Sequence, residues 1–272
     1  MNIGITIRNK GPESTRTLLV ERTRAAERAG LDDVWVEDHI AIPPDDAEGS
    51  GGRYLDPLTT LAYLAGCTSK IGLGTGVLNL PYRAPLPTTK ALATLQELSE
   101  GRLRLGVGVG WMEAEFRALG VPRNQRGRLT DEALAFIHDC FEGGDETEAN
   151  GQTFLFLPRP VRPPIFIGGA PPHALERSVS FGDGWMPIGA QPKKLLDPIS
   201  QLQELASKAG RVAQEVKLMT SLPLGETGRT VDQIHELLEV GVTSVVHGAR
   251  YEVFSEFEEA AGQLAECRDA FQ

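Results

Sequence analysis

Short, nearly continuous apolar runs alternate with longer amphipathic ones from one end of the chain to the other. The runs 3–7 (IGITI), 33–37 (DVWVE), 71–78 (IGLGTGVL), 103–109 (LRLGVGV), 164–168 (PIFIG), 184–188 (GWMPI), 216–222 (VKLMTSL) and 243–247 (TSVVH) read as strands. Strands apolar on successive residues, rather than on every second one, are covered on both faces, as in a parallel sheet. The segments between them have helical spacing. Leu195, Ile199, Leu202, Leu205 and Ala209 share one face, as do Phe254, Phe257, Ala261 and Leu264. Asp56-Pro57 reads as a helix start, and Thr230 with Gln233 three residues later as another. Residues 143–163 break the rhythm, being acidic, then turn-like, then proline-rich. They read as an insertion carrying a small hairpin.

Eight strand–helix units suit a closed barrel or a doubly wound sheet. The length of 272 residues favours the barrel, because eight units fill it with little left over, and about 250 residues is usual for that fold. The expected fold is therefore α/β, a (β/α)8 TIM barrel with an insertion between strand 4 and strand 5. No linker-like stretch divides residues 1–272, which are expected to form a single domain.

Composition narrows the function classes. A hydrophobic fraction of 41% supplies a core, and 27 Lys plus Arg against 37 Asp plus Glu leave a net charge of −10. With no basic block, nucleic acid is a poor partner. No apolar run approaches the roughly 18 residues of a membrane span, and the start MNIGITIRNKG lacks the apolar stretch of a signal peptide. Cys67, Cys140 and Cys267 are an odd set without C-x-x-C spacing, which argues against a disulfide scaffold and a zinc site. A cytoplasmic protein with a small-molecule substrate and no metal is expected.

Several familiar handles are missing. Gly106-Val107-Gly108-Val109-Gly110-Trp111 has Trp111 where a dinucleotide fingerprint needs its third glycine, and Gly72 to Val77 fails in the same way. There is no phosphate loop, no G-x-S-x-G elbow and no H-E-x-x-H. What remains lies at the carboxyl ends of the strands, where barrel active sites are built. The second strand ends in Glu37-Asp38-His39; an imidazole there can act as a general acid or base near neutral pH, or simply cap the strand. The third carries Gly74-Thr75-Gly76-Val77, and glycines within a strand mark a bulge or a place where a ligand touches backbone. The fourth ends in Gly106, Gly108 and Gly110, on one side and leaving room, followed by Trp111 at the rim. Gly168-Gly169-Ala170 precedes a helix starting near Pro172, a place for an anion. The sixth strand runs out through Ile188 and Gly189. His138, His173 and His235 lie on helices without metal-ligand spacing, and nothing in the sequence pairs with His247. A charged cluster at the strand ends, which a cofactor-free lyase or isomerase would need, is not visible.

Together these segments resemble the luciferase-like flavin and deazaflavin oxidoreductases, closest to the coenzyme F420-dependent class. The resemblance rests on Val34 to His39, Asp56-Pro57-Leu58, Leu73 to Leu78, Gly101-Arg102-Leu103, Leu105 to Trp111, Glu115-Phe116, Ile165 to Gly169 and Gly182 to Trp185, all in order over about residues 1–190. It implies an F420-dependent oxidoreductase moving hydride between the deazaflavin and a small organic substrate. The alternatives are an FMN-dependent monooxygenase using O2, or a non-catalytic flavin-binding barrel. It implies a homodimer, a third-strand bulge with a non-prolyl cis peptide at Gly76-Val77, and His39 as proton donor or acceptor. Asp38, Thr75, Gly76, Val77, Gly108, Gly110 and Trp111 would surround the cofactor ring, with Ile188 and Gly189 nearby, and Gly168, Gly169 and Ala170 would face its phosphate. Two departures, Trp111 in place of an acidic residue and Pro43 in place of a tryptophan, set the chain apart from the alcohol-oxidising members.

Overall fold

Eight parallel strands close into a barrel in the computed structural model, which describes residues 1–189 and 191–271. In chain order they are β1 (Asn2–Thr6), β2 (Asp33–Val36), β3 (Gly72–Asn79), β4 (Leu103–Gly108), β7 (Ile165–Gly168), β8 (Gly184–Met186), β9 (Glu215–Thr220) and β10 (Ser244–His247). Between β4 and β7 a separate antiparallel hairpin pairs β5 (Glu146–Ala149) with β6 (Gln152–Leu155). Its turn is Asn150-Gly151, both at positive φ (53° and 76°), as a two-residue hairpin loop requires. The expected barrel, with its insertion after the fourth strand, is thus the observed architecture. No helix among the described residues is long and apolar enough to cross a membrane.

The helices are α1 (Arg16–Arg28), α2 (Pro57–Ala65), α3 (Pro85–Leu98), α4 (Glu113–Leu119), α5 (Arg126–Glu142), α6 (His173–Phe181), α7 (Pro192–Lys208), α8 (Thr227–Glu239) and α9 (Phe254–Asp269). Asp56 caps α2 as expected, its side chain accepting from Thr59 N at 2.8 Å with Pro57 in the first turn. Thr230 is not the cap of α8. That helix starts at Thr227, and the Thr230 hydroxyl instead donates to Pro223 O (2.8 Å) and Glu226 O (3.3 Å), tying the first turn to the incoming loop. The sixth barrel strand stops at Met186, short of the expected 188, because Pro187 has no N–H for the ladder; only a lone bridge joins Ile188 to Met219.

Inside the barrel the fully buried Trp35 indole lies between neighbouring strands. A Cβ on Gly4 would sit 2.9 Å from its Nε1, and one on Gly74 would sit 2.3 Å from its ring, so both flanking positions must be glycine. Beside it Lys217, 2% exposed, places Nζ 3.6 Å from Asp33 Oδ2, 5.4 Å from the Trp35 ring centroid and 4.8 Å from that of Phe166. This plug sits near the strand starts, opposite the end where barrel active sites form.

Candidate active site

At the carboxyl end of β2, Asp38 and His39 diverge. Asp38 is buried, and Arg83 forks onto it at 2.7 and 2.8 Å while Asn79 N donates to Oδ2 at 2.8 Å. Arg83 also reaches Asp56 at 3.0 Å. The Asp38 carboxylate therefore ties β2 to the end of β3, and it reaches the mouth only through the backbone it holds. His39 remains partly open. Its Nδ1 lies 2.9 Å from Glu115 Oε2, and its ring centre lies 4.9 Å from that of Tyr54 and 6.1 Å, nearly perpendicular, from that of Trp111.

Glu115, on α4, is completely buried and also accepts from Ile40 N (2.5 Å), Ala41 N (3.0 Å) and Tyr82 Oη (3.1 Å). Burial pushes its carboxyl upward, but the donors from His39, Ala41 and Ile40 outweigh it and hold the group down at about 2. Burial, with Glu115 alongside, pushes the Tyr82 phenol up, so it stays a donor. An ionised acceptor facing Nδ1 calls for a hydrogen on that nitrogen. Proton exchange is left to Nε2, which has no protein partner among the described residues.

The expected bulge is present. The β3–β4 register shifts between Thr75 and Leu78, and the Gly76-Val77 peptide is cis. The glycines around it do not leave room for a ligand as the spacing implied. A Cβ on Gly106 would meet Thr75 O at 2.1 Å, and one on Gly108 would meet Val77 Cγ2 at 2.6 Å. A Cβ on Gly168 would lie 3.0 Å from Val77 Cγ1, and one on Gly110 (φ +73°) 2.9 Å from Tyr82. These glycines make space for the bulge itself, which pushes Val77 across the mouth. Thr75 is buried, its hydroxyl donating to Gly106 O at 2.7 Å, whereas Gly76 and Val77 are half-buried. Trp111, 64% exposed, forms a free rim.

Gly169 and Ala170 are exposed at the start of α6, with Gly169 at φ +118° and Gly168 buried behind them. The Trp185 indole donates to Gly169 O at 2.9 Å, and Asp183, forked by Arg162, accepts from Ile165 N at 2.8 Å. The Gly182–Trp185 stretch thereby fixes this turn. Ala174, Leu175 and Glu176 N donate to carbonyls within the turn, and Pro171 and Pro172 have no N–H. Anion-binding capacity at this point rests on Gly169 and Ala170, together with Arg126 of an adjoining cavity of about 530 Å³, where Arg128 and Arg177 are already paired with Glu132 and Asp131.

Ile188 and Gly189 stand apart from this turn, on a second cavity of about 380 Å³ formed by the ends of β1, β2, β9 and β10. Met219 links this cavity to the β3 bulge, since a Cβ on Gly76 would meet its Cε at 2.8 Å. His247 does not reach this cavity. It is buried with Nδ1 accepting from Leu222 N at 3.0 Å, and burial drives its imidazole down to about 4. Its folded value lies below its unfolded one, so stability is full above about 6.5 and falls as pH drops toward 4. The loss is on the order of 3 kcal/mol. The His247→Gln variant is expected to show a flatter stability profile between those values in urea titrations, and an unchanged profile would refute this. Of the other histidines, His138 bonds Glu142 and Phe181 O, and His173 lies exposed near Glu176.

The charged cluster absent from the sequence reading is thus present: His39, Glu115 and Tyr82 on one side, Asp38 and Arg83 on the other. Glu115 stood within the family-like Glu115-Phe116 pair, but its partner lies 76 residues away in the chain. Its one signal was an acidic residue opening the helix after the fourth strand. Arg83 had none.

The sequence profile of the luciferase-like monooxygenase family matches residues 1–272. An uncharacterised protein of Mycobacterium tuberculosis is 30% identical over 252 residues, covering 86% of this chain and 85% of the relative. The 5,10-methylenetetrahydromethanopterin reductase of Methanolobus tindarius is 33% identical over 199 residues, 71% of this chain and 56% of that enzyme. An F420-dependent secondary alcohol dehydrogenase, solved with an F420–acetone adduct, superposes with a TM-score of 0.81 at 17% identity, over 100% of this chain and 99% of the other. With the profile matched from end to end, the chain belongs to the luciferase-like monooxygenase family.

Proposed function

We propose that the protein is an F420-dependent oxidoreductase that moves hydride between the deazaflavin and a small organic substrate, with His39 as the proton donor or acceptor. The observation that carries this is the His39–Glu115 pair, a partly exposed imidazole whose Nδ1 is held by a completely buried carboxylate at the barrel mouth. A barrel that only stored a flavin would have no use for a base oriented in this way. The residues also suit the cofactor. Gly76 and Val77 of the bulge would hold the ring, with Trp111 at its edge. Gly169 and Ala170, with Arg126 nearby, would take the anionic tail. In a chain of net charge −10, such local donors must do what the overall field does not.

When bound, F420 supplies the two-electron hydride chemistry, and the protein supplies orientation and a proton. Glu115 keeps the imidazole in one tautomer and steadies it when positively charged. Tyr82 and the amides of Ile40 and Ala41 keep Glu115 ionised. Tyr54 and Trp111 wall the ring of His39 from two sides. An FMN-dependent monooxygenase is the second reading, favoured by Arg126 near the Gly169 turn, which suits a terminal phosphate equally well. Titration of the purified protein with F420 and with FMN, followed by quenching of cofactor fluorescence, separates the two. Saturable F420 binding tighter than FMN is expected; FMN binding with no F420 response contradicts the proposal.

A further inference from the structure

The cavity at the mouth runs from Glu37, two residues before His39, across the ends of β9 and β10 to Arg250. Its wall is apolar where Ile7, Ile188 and Met219 contribute, and cationic at the far end. There a single carboxylate, Glu13, serves more than one guanidinium. Arg8 Nε stands 3.0 Å from Glu13 Oε2, and Arg250 Nε stands 3.5 Å from Oε1. Arg22, completely buried behind them, adds its field to the same carboxylate while donating to Tyr251 O at 3.2 Å. The remaining charges nearby do not redress this. Glu37 is taken by Lys10, and counting Glu256, whose field also reaches Arg22, three guanidiniums still face two carboxylates. The corner therefore keeps a surplus of positive charge in an acidic protein. Arg8 is anchored on both sides, since its Nη2 also reaches Gly49 O at 3.4 Å. Arg250 is not anchored. It is 57% exposed, and Glu13 is its sole partner among the described residues.

We propose that the substrate carries a carboxylate, seated on the Arg250 guanidinium beside Arg8, with its hydrocarbon part against Ile7, Ile188 and Met219 and its reacting end toward His39. A guanidinium fork matches a carboxylate bidentately, and a partly enclosed site strengthens the pair. The cofactor's own anionic tail is the other source of such a group. The turn at Gly169 and Ala170, with Arg126, lies at the ends of β4 and β7, away from this cavity. The inference rests on the oxidoreductase reading for the reaction but not for the binding, and its test is a binding measurement.

Calorimetric titration of the cofactor-free protein with cinnamate and with cinnamamide compares an anion and a neutral molecule of the same shape. Cinnamate is expected to bind about tenfold more tightly, the worth of a charged hydrogen-bonded pair. Arg250→Ala should bring the ratio close to one, and Arg250→Lys should leave part of it. Because Arg250 is exposed on a loop, both variants should fold. Their F420 affinity should stay within about twofold of wild type, since no tail contact is removed. Equal binding of the two probes by wild type, or a preference that survives Arg250→Ala, overturns the proposal. So does a fall in F420 affinity in Arg250→Ala with the cinnamate preference intact, which would place the cofactor's tail on Arg250. Failure of wild type to bind F420 or FMN while it still prefers cinnamate counts against the cofactor reading and supports the carboxylate site.

Discussion

Glu115→Ala is expected to lose turnover by about 10²–10⁴-fold, the range that separates a positioned acid–base group from an unpositioned one. The same change leaves His39 Nδ1, the Tyr82 hydroxyl and the amides of Ile40 and Ala41 facing a void. The lost partners should lower stability by about 3–5 kcal/mol. Glu115→Gln separates the two effects. It keeps an acceptor of the same shape for the amides but cannot steady a charged imidazole, so activity should fall steeply while stability changes much less. The pH dependence carries a further signature. The Glu115 carboxyl is held near 2, below its ordinary 4.5, so its contribution to stability is present above 4.5 and lost as pH falls toward 2. Glu115→Gln should lack that slope in acid-denaturation curves. A Gln variant with full activity and an unchanged acid limb would remove Glu115 from this role.

The second large effect lies at the other end of the barrel and concerns stability alone. Lys217→Ala is expected to cost about 3–5 kcal/mol, because it leaves the buried Asp33 carboxylate without its closest buried cation. Burial pushes the Asp33 carboxyl up, against the pull of Lys217 and Arg104. Burial likewise pushes the Lys217 ammonium down, against Asp33 and Glu215. Each group depends on the other to stay charged. Arg104, at 3.6 Å and one-third exposed, compensates only in part. Lys217→Met fills the space between Trp35 and Phe166 without a charge and should cost less than Lys217→Ala. Urea unfolding midpoints measure both, and an alanine variant within about 1 kcal/mol of wild type would show the plug to be dispensable.

The barrel was legible because its strands are apolar on consecutive residues, a pattern set by helices covering one face and packed strands the other. The turn-like stretch within residues 143–163 likewise announced the hairpin. Features depending on contacts distant in sequence were harder to read. The glycines at 106, 108 and 168 look the same along the chain whether a ligand or a neighbouring bulge fills the space beside them. The positions of Thr75 and Val77 decide for the bulge. Thr230 has the residue type of a cap, yet its hydroxyl found Pro223 O first. His39 was readable from its place at a strand end, but its carboxylate comes from another helix and Asp38's arginine from another loop. The resemblance put Asp38 beside the cofactor ring; the fold turns its carboxylate onto Arg83 and Asn79 N.

The central claim is that His39 moves the proton while the surrounding bulge and turn hold the cofactor. His39→Ala, measured for F420 affinity and for single-turnover hydride transfer in the same preparation, tests it most directly. Cofactor affinity within about twofold of wild type, with hydride transfer slowed by about 10²–10⁴-fold, is the predicted result. Unchanged transfer, or loss of cofactor binding that accounts for the whole effect, would contradict it.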